Sequence, residues 1–262
     1  MKKLIFSIVL GGIMVLQSCS TVAVTGRNQL NLVNDSDVLS ASLPQYGDYM
    51  KTAKKSTNKT QSAMVARVGQ KIAVATEQYL RSNGLENEIK NYSWEFNLVQ
   101  SEEVNAFCMP GGKIVVYEGI MKLVSGEDEL AVIVGHEVAH AVAKHSNERM
   151  SQQILAQYGS KALSTILSKK STTTKLLANT VYGLGAQYGV MLPFSRKHES
   201  EADYMGLVFM KMAGYNPEAA ITFWKKMSAQ GSSTPEFFST HPSNENRIAE
   251  IKKCIEKLNA NK

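Results

Sequence analysis

The segment AVIVGHEVAHAVA, residues 131 to 143, constrains this chain more than any other. An apolar run this continuous folds as a helix buried on all sides, yet it carries two histidines and a glutamate. Residues four apart on a helix lie about 40° apart around the axis, so His136 and His140 aim their imidazoles at one point. Glu137 sits beside that point rather than on it. A carboxylate buried without a partner is costly, and a divalent cation held by the histidine pair removes the conflict. Two nitrogen donors with a neighbouring base suit zinc, one ion per chain. Glu137 is then the candidate general base, placed to take a proton from an attacking water.

A catalytic zinc takes a third protein ligand. His145 follows His140 by five residues, about 140° further round a continuous helix, so it is expected to point elsewhere and to be structural. Its spacing also misses the His-x-x-Gly-x-x-His extension of the metzincins. The better source is SRKHESEAD, residues 195 to 203. There Glu199 and Asp203 share a helical face, so one can bind the metal while the other orients a ligand histidine. Glu201 lies two positions off that face and is expected to be a solvated surface acid, with metal ligation as its alternative role.

With 262 residues and 44% apolar content, the chain is long enough for a full core. Its net charge of +6 is modest, and the lysines are scattered rather than interleaved with aromatics, which argues against a nucleic-acid surface. Lys2 and Lys3, the apolar run LIFSIVLGGIMVL and then Gln17-Ser18-Cys19 have the layout of a secretory signal. Leu16 to Cys19 resembles a bacterial lipobox, in which the cysteine is lipidated. The expected organisation is a lipoprotein signal peptide at 1–18, a lipid-anchored segment at 19–58 and one catalytic domain at 59–262. Cys108 and Cys254 are read as two small buried hydrophobes.

Within that domain, Met64, Val65, Val68, Ile72, Val74, Ala75 and Tyr79 recur at helical spacing, and Asn83-Gly84 ends that helix. The strand-like runs YSWEFNLV and KIVVYEG flank NAFCMPGG, which carries a turn signal. Ser125 and Asp128 have capping-box spacing ahead of the histidine helix. Residues 150–192 read as mostly helical, and in the uncharged run LLANTVYGLGAQYGVMLPF, residues 176–194, the glycines, Asn179 and Gln187 favour a packed helix or an interface over a membrane span. Further helices are expected at 196–212, 217–229 and 243–258. The sum is a mostly helical α+β domain with one small antiparallel sheet.

The strings GHEVAHAVAKHS, SRKHESEAD and THPSNENRI, in this order, resemble the zinc metallopeptidase family that includes the heat-shock protease HtpX and the CAAX prenyl endopeptidases. With the lipobox and TGRNQLNLV, the chain is most similar to the small periplasmic lipoprotein members. The resemblance implies a zincin-like fold of the gluzincin type, with His136, His140 and Glu199 as zinc ligands, Glu137 as base and Asp203 behind the ligands. It favours a functional role for His241, as an oxyanion donor or a latch on the zinc, and makes Arg247 a second candidate donor. It further implies that NAFCMPGGKIVVYEG supplies an edge strand for an extended substrate, beside Asn105, Ala106 and Phe107. Cys108 departs from the apolar residue expected there. The expected partners are protein or peptide substrates and, through Cys19, a membrane. A competing reading is an envelope assembly factor that acts mainly by binding, docking its partner through residues 150–192.

Overall fold

A computed structural model describes residues 19–155, 195–230, 237–241 and 246–260. A short antiparallel hairpin opens it, β1 (Cys19–Thr21) against β2 (Asn28–Leu30). Helix α1 (Asp35–Thr52) starts at Asn34, whose side chain accepts from the Asp37 N–H. Helix α2 (Lys59–Ser82) is capped in the same way by Asn58. Its buried stripe of Val65, Val68, Ile72 and Ala75 matches the expected periodicity, whereas Val74 lies on the exposed side. The helix stops where Gly84 adopts φ +70°, a conformation that glycine takes without strain. One helical turn, α3 (Glu86–Ile89), leads into the sheet.

Three strands form that sheet: β3 (Glu95–Val99), β4 (Ala106–Met109) and β5 (Lys113–Tyr117). Their order is β3-β5-β4, with β5 parallel to β3 and antiparallel to β4. The expected purely antiparallel pairing of the two strong runs is therefore wrong in sense. Residues 106–109, which periodicity left inside the turn signal and the resemblance put in an edge strand, form a strand of their own at the sheet edge, and a chain that reverses twice returns parallel to its start. The tight reversal is Pro110-Gly111-Gly112, with both glycines at positive φ. Ile114, Val115 and Val116 of the central strand are fully buried.

After the turn α4 (Glu118–Met121) comes α5 (Glu127–Val142), the histidine helix. Its start differs from the expected capping box. Gly126 holds the cap position, and Glu129 reaches back to the Ser125 N–H at 2.7 Å. Beyond it the chain is helical again over 145–155. Helices α6 (Arg196–Met212), α7 (Ala219–Ser228), α8 (Phe237–Thr240) and α9 (Arg247–Ala260) complete the described structure.

Helix α5 lies in the middle of the main core, packed by α2, α6, α7 and the sheet. It meets α6 at a glycine pair. A Cβ on Gly206 would come within 2.9 Å of the Gly135 carbonyl carbon, and one on Gly135 within 3.0 Å of the Gly206 oxygen. Only glycine at both positions allows the two backbones to touch. Helix α1 covers the opposite face of the sheet through Tyr46, Val99, Met109 and Val115. Segment 19–58 thus packs on the domain. No helix among the described residues is long and apolar enough to cross a membrane. Cys108 is buried and Cys254 half-buried, both as free thiols. Met150 and Ile154 pack on Val33, Val38 and Ala41, while the remainder of the expected partner region, 156–192, lies outside the described residues.

Candidate metal centre

The glycine contact sets one turn of α5 against α6 and so brings His136 and His140 to Glu199 and Asp203. His136 Nε2 lies 3.0 Å from His140 Nε2 and 3.2 Å from Glu199 Oε2. His140 Nε2 is 3.3 Å from Glu199 Oε1. His241 adds a fourth donor, its Nδ1 3.1 Å from Glu199 Oε1 and 3.3 Å from His136 Nε2. These four side chains are buried, and their donor atoms lie within 4.8 Å of one another.

The donors require a cation. His136 Nδ1–H donates to Asp203 Oδ1 at 2.9 Å, which leaves a lone pair on Nε2. His140 Nδ1 meets His145 Nδ1 at 2.9 Å, and with His140 as the donor in that contact its Nε2 also presents a lone pair. Two bare nitrogens and a carboxylate facing one another would repel. Zinc–nitrogen bonds of about 2.0–2.1 Å in a tetrahedron put neighbouring ligand atoms about 3.3 Å apart, and the distances above match that edge.

Without a metal ion, the same carboxylates draw a proton into the pocket in its place. Burial alone would lower the pKa of His136, but the Glu199 and Asp203 carboxylates outweigh it and raise it to about 9. Burial works against ionised Glu199, yet His241 and His136 hold its carboxyl well below the usual range. Asp203 is likewise held down against burial, by Arg247 and His136. Glu137 goes the other way, because burial pushes it up and the neighbouring histidines offset only part of that. Its side chain is fully buried, neither oxygen accepts a hydrogen bond, and Oε1 lies 3.6 Å from His241 Nε2.

Sequence reasoning thus named every side chain in the cluster. Glu201 and His145 are placed differently from expectation, and Arg247 acts first on a supporting residue. The Arg247 guanidinium is committed to Asp203, with Nε at 2.8 Å and Nη2 at 2.7 Å, and lies 3.5 Å above the Trp224 ring. That grip holds a supporting carboxylate, while Nη1, buried without a hydrogen bond, is left over as a donor. Glu201 is not a solvated acid. It is buried, bound by His145 Nε2 at 3.0 Å and by Arg27 Nε at 2.7 Å. Trp224 went unnoticed because nothing in its spacing ties it to Arg247. Of the expected substrate contacts, Ala106 and Phe107 lie on β4, which pairs only with β5 among the described residues. Asn105 is buried just before it, while the Phe107 ring packs on Tyr49 and Tyr117.

A buried His-His-Glu set on two helices beside a buried glutamate that accepts no hydrogen bond, in a mostly helical α+β fold, defines a zincin-like zinc peptidase. Residues 61–255 match peptidase family M48. The chain is 32% identical over 255 residues to the mitochondrial metalloendopeptidase OMA1 of Schizosaccharomyces pombe, covering 94% of this chain and 69% of that protein. It is 36% identical over 168 residues to the OMA1 metalloendopeptidase of Arabidopsis thaliana, covering 64% of this chain and 33% of that one. Over 187 residues it is 30% identical to the beta-barrel assembly-enhancing protease of Escherichia coli, covering 67% of this chain and 38% of the relative. The chain belongs to peptidase family M48 and is a zinc metalloendopeptidase.

Proposed function

We propose that this metalloendopeptidase works in the bacterial cell envelope, anchored by lipid on Cys19 and facing the periplasm, where it cleaves misfolded or misassembled envelope proteins. The signal-like N-terminus ending in LQSC supports the location. Similarity to an Escherichia coli protease named for β-barrel assembly supports the substrate class.

The observation that carries the catalytic reading is Glu137, buried without a hydrogen bond next to a ligand histidine. Zinc held by His136, His140 and Glu199 supplies Lewis acidity to the scissile carbonyl and the attacking water. Glu137 accepts the water's proton and delivers it to the leaving amine. Its raised pKa brings its basicity nearer the working pH. His241, with Nδ1 among the ligand atoms, closes the site at rest, and once substrate displaces it the imidazole donates to the developing oxyanion. Arg247 serves through Asp203 as a positioning residue. The substrate main chain lies along β4, beside Asn105, Ala106 and Phe107.

Envelope proteins that accumulate in cells carrying Glu137→Gln, and not in wild-type cells, identify the substrates. Full function of that variant in cells would make binding the main task. Cys19→Ala should release the protein from membranes or leave an uncleaved precursor. Normal processing with continued membrane binding would place the anchor elsewhere.

A further inference from the structure

His145 is not aimed away from the metal centre. Helix α5 ends at Val142, and Lys144 turns the chain with φ 55°, the one positive φ at a non-glycine residue among those described. A left-handed lysine is strained, and such strain persists where the surroundings hold it in place. Here Asp35 at 2.7 Å and Glu88 at 2.6 Å fix the Lys144 amine. The turn swings His145 back under His140, fully buried.

With His140 Nε2 facing the other ligands, its Nδ1–H donates to His145 Nδ1 at 2.9 Å. His145 Nε2–H is then left to donate to Glu201 Oε2 at 3.0 Å. Glu201 also receives the Thr25 hydroxyl and Arg27 Nε. The other two Arg27 nitrogens reach Glu148 at 3.0 and 2.7 Å. Glu148 accepts in turn from His198 at 3.0 Å, the residue just before ligand Glu199. The His145 and His198 rings stack with centroids 4.4 Å apart. Both ligand histidines thus end on a carboxylate gripped by an arginine. His136 does so through Asp203 and Arg247, and His140 through His145, Glu201 and Arg27.

We propose that His145 and Glu201 are positioning residues that orient the zinc ligand His140, and that Arg27, on the β1–β2 hairpin, completes the metal centre from outside the family-matched region. Outer-shell hydrogen bonds fix the ring and tautomer of a metal-binding histidine, and losing them typically weakens metal binding about 10- to 100-fold. Arg27 precedes the matched span of residues 61–255, so a protein trimmed to that span would lack the end of the relay.

The proposal rests on the zinc reading, and the test separates the two. Zinc dissociation constants come from chelator competition on the full chain, alongside visible absorption of the cobalt-substituted protein and circular dichroism to confirm folding. His145→Ala should weaken zinc about 10- to 100-fold and shift the cobalt bands. Glu201→Gln and Arg27→Met should each weaken zinc about 10-fold. His145→Asn should recover part of the loss, because its amide oxygen can accept from His140 where Nδ1 did. Folded His145→Ala and Glu201→Gln with wild-type zinc affinity and cobalt spectrum would overturn the relay. If His145→Ala does not fold, the isosteric Glu201→Gln decides alone. Should Glu199→Ala also keep zinc, the ligand assignment fails and the relay falls with it.

Discussion

Gly206→Ala puts one methyl group into the α5–α6 crossing. The added Cβ would lie 2.9 Å from the carbonyl carbon of Gly135 and 2.9 Å from the amide nitrogen of His136. Carbon atoms in contact settle at about 3.5–4.0 Å. Because the obstruction is backbone on both sides, no side chain can swing away, and the helices must part by at least about 0.5 Å. Overpacking of this kind costs about 1–3 kcal/mol. Glu199 and Asp203 ride on α6 while His136 and His140 ride on α5, so the same displacement opens the ligand set. A misplacement of about 1 Å at a reacting centre can cost on the order of 100-fold in rate, so a loss of about 10-fold or more is expected here. The assay is peptide cleavage, zinc affinity and thermal unfolding on one preparation. Gly47→Ala is the control, since that helical glycine has nothing within 4 Å of an added Cβ. It should gain about 0.5–1 kcal/mol and leave cleavage unchanged. A Gly206→Ala protein with wild-type melting, zinc affinity and turnover would refute the claim that this crossing sets the ligand geometry.

His241→Ala should raise basal self-cleavage, by removing the fourth donor from the ligand cluster, and lower turnover of saturating peptide. No change in either would reduce His241 to a loop residue. The Glu148 carboxyl has an ordinary value of 4.5; burial would raise it, but hydrogen bonds from His198 and Arg27 bring it down to about 2. A depressed carboxyl stabilises the fold fully above the unfolded value and loses that contribution as pH falls through the folded one, here between 4.5 and about 2. The gap corresponds to a few kcal/mol at most. Melting temperature should therefore fall steeply across that window in the wild type and less steeply in Arg27→Met. Superimposable curves would show that the pair does not stabilise the fold.

The two residue pairs at the metal centre were legible from their four-residue spacing on one helix each, while the choice of Glu199 over Asp203 as ligand, and the part of His241, came from the family resemblance. His136 with His140, and Glu199 with Asp203, needed no tertiary information beyond the assumption that the two helices meet. That meeting lies in Gly135 and Gly206, which carry no chemistry and look like ordinary helix glycines in the sequence. Glu201 was misread because its partner Arg27 stands 174 positions earlier, a distance no local pattern spans. His145 was read on a continuous helix, and the left-handed turn at Lys144 broke that assumption. In the sheet, the hydrophobic runs of β3 and β5 were found. Their relative direction depended on whether residues 106–109 formed a strand, and the short segment AFCM gave only a weak strand signal.

The central claim is that zinc and Glu137 act together on a peptide bond. Zinc content and peptide turnover, measured on the same preparation of Glu137→Gln, test it most directly. One zinc per chain with cleavage reduced at least about 100-fold is the expected result, since the ligands remain and only the base is lost. Turnover at the wild-type rate in that zinc-loaded variant would contradict the mechanism.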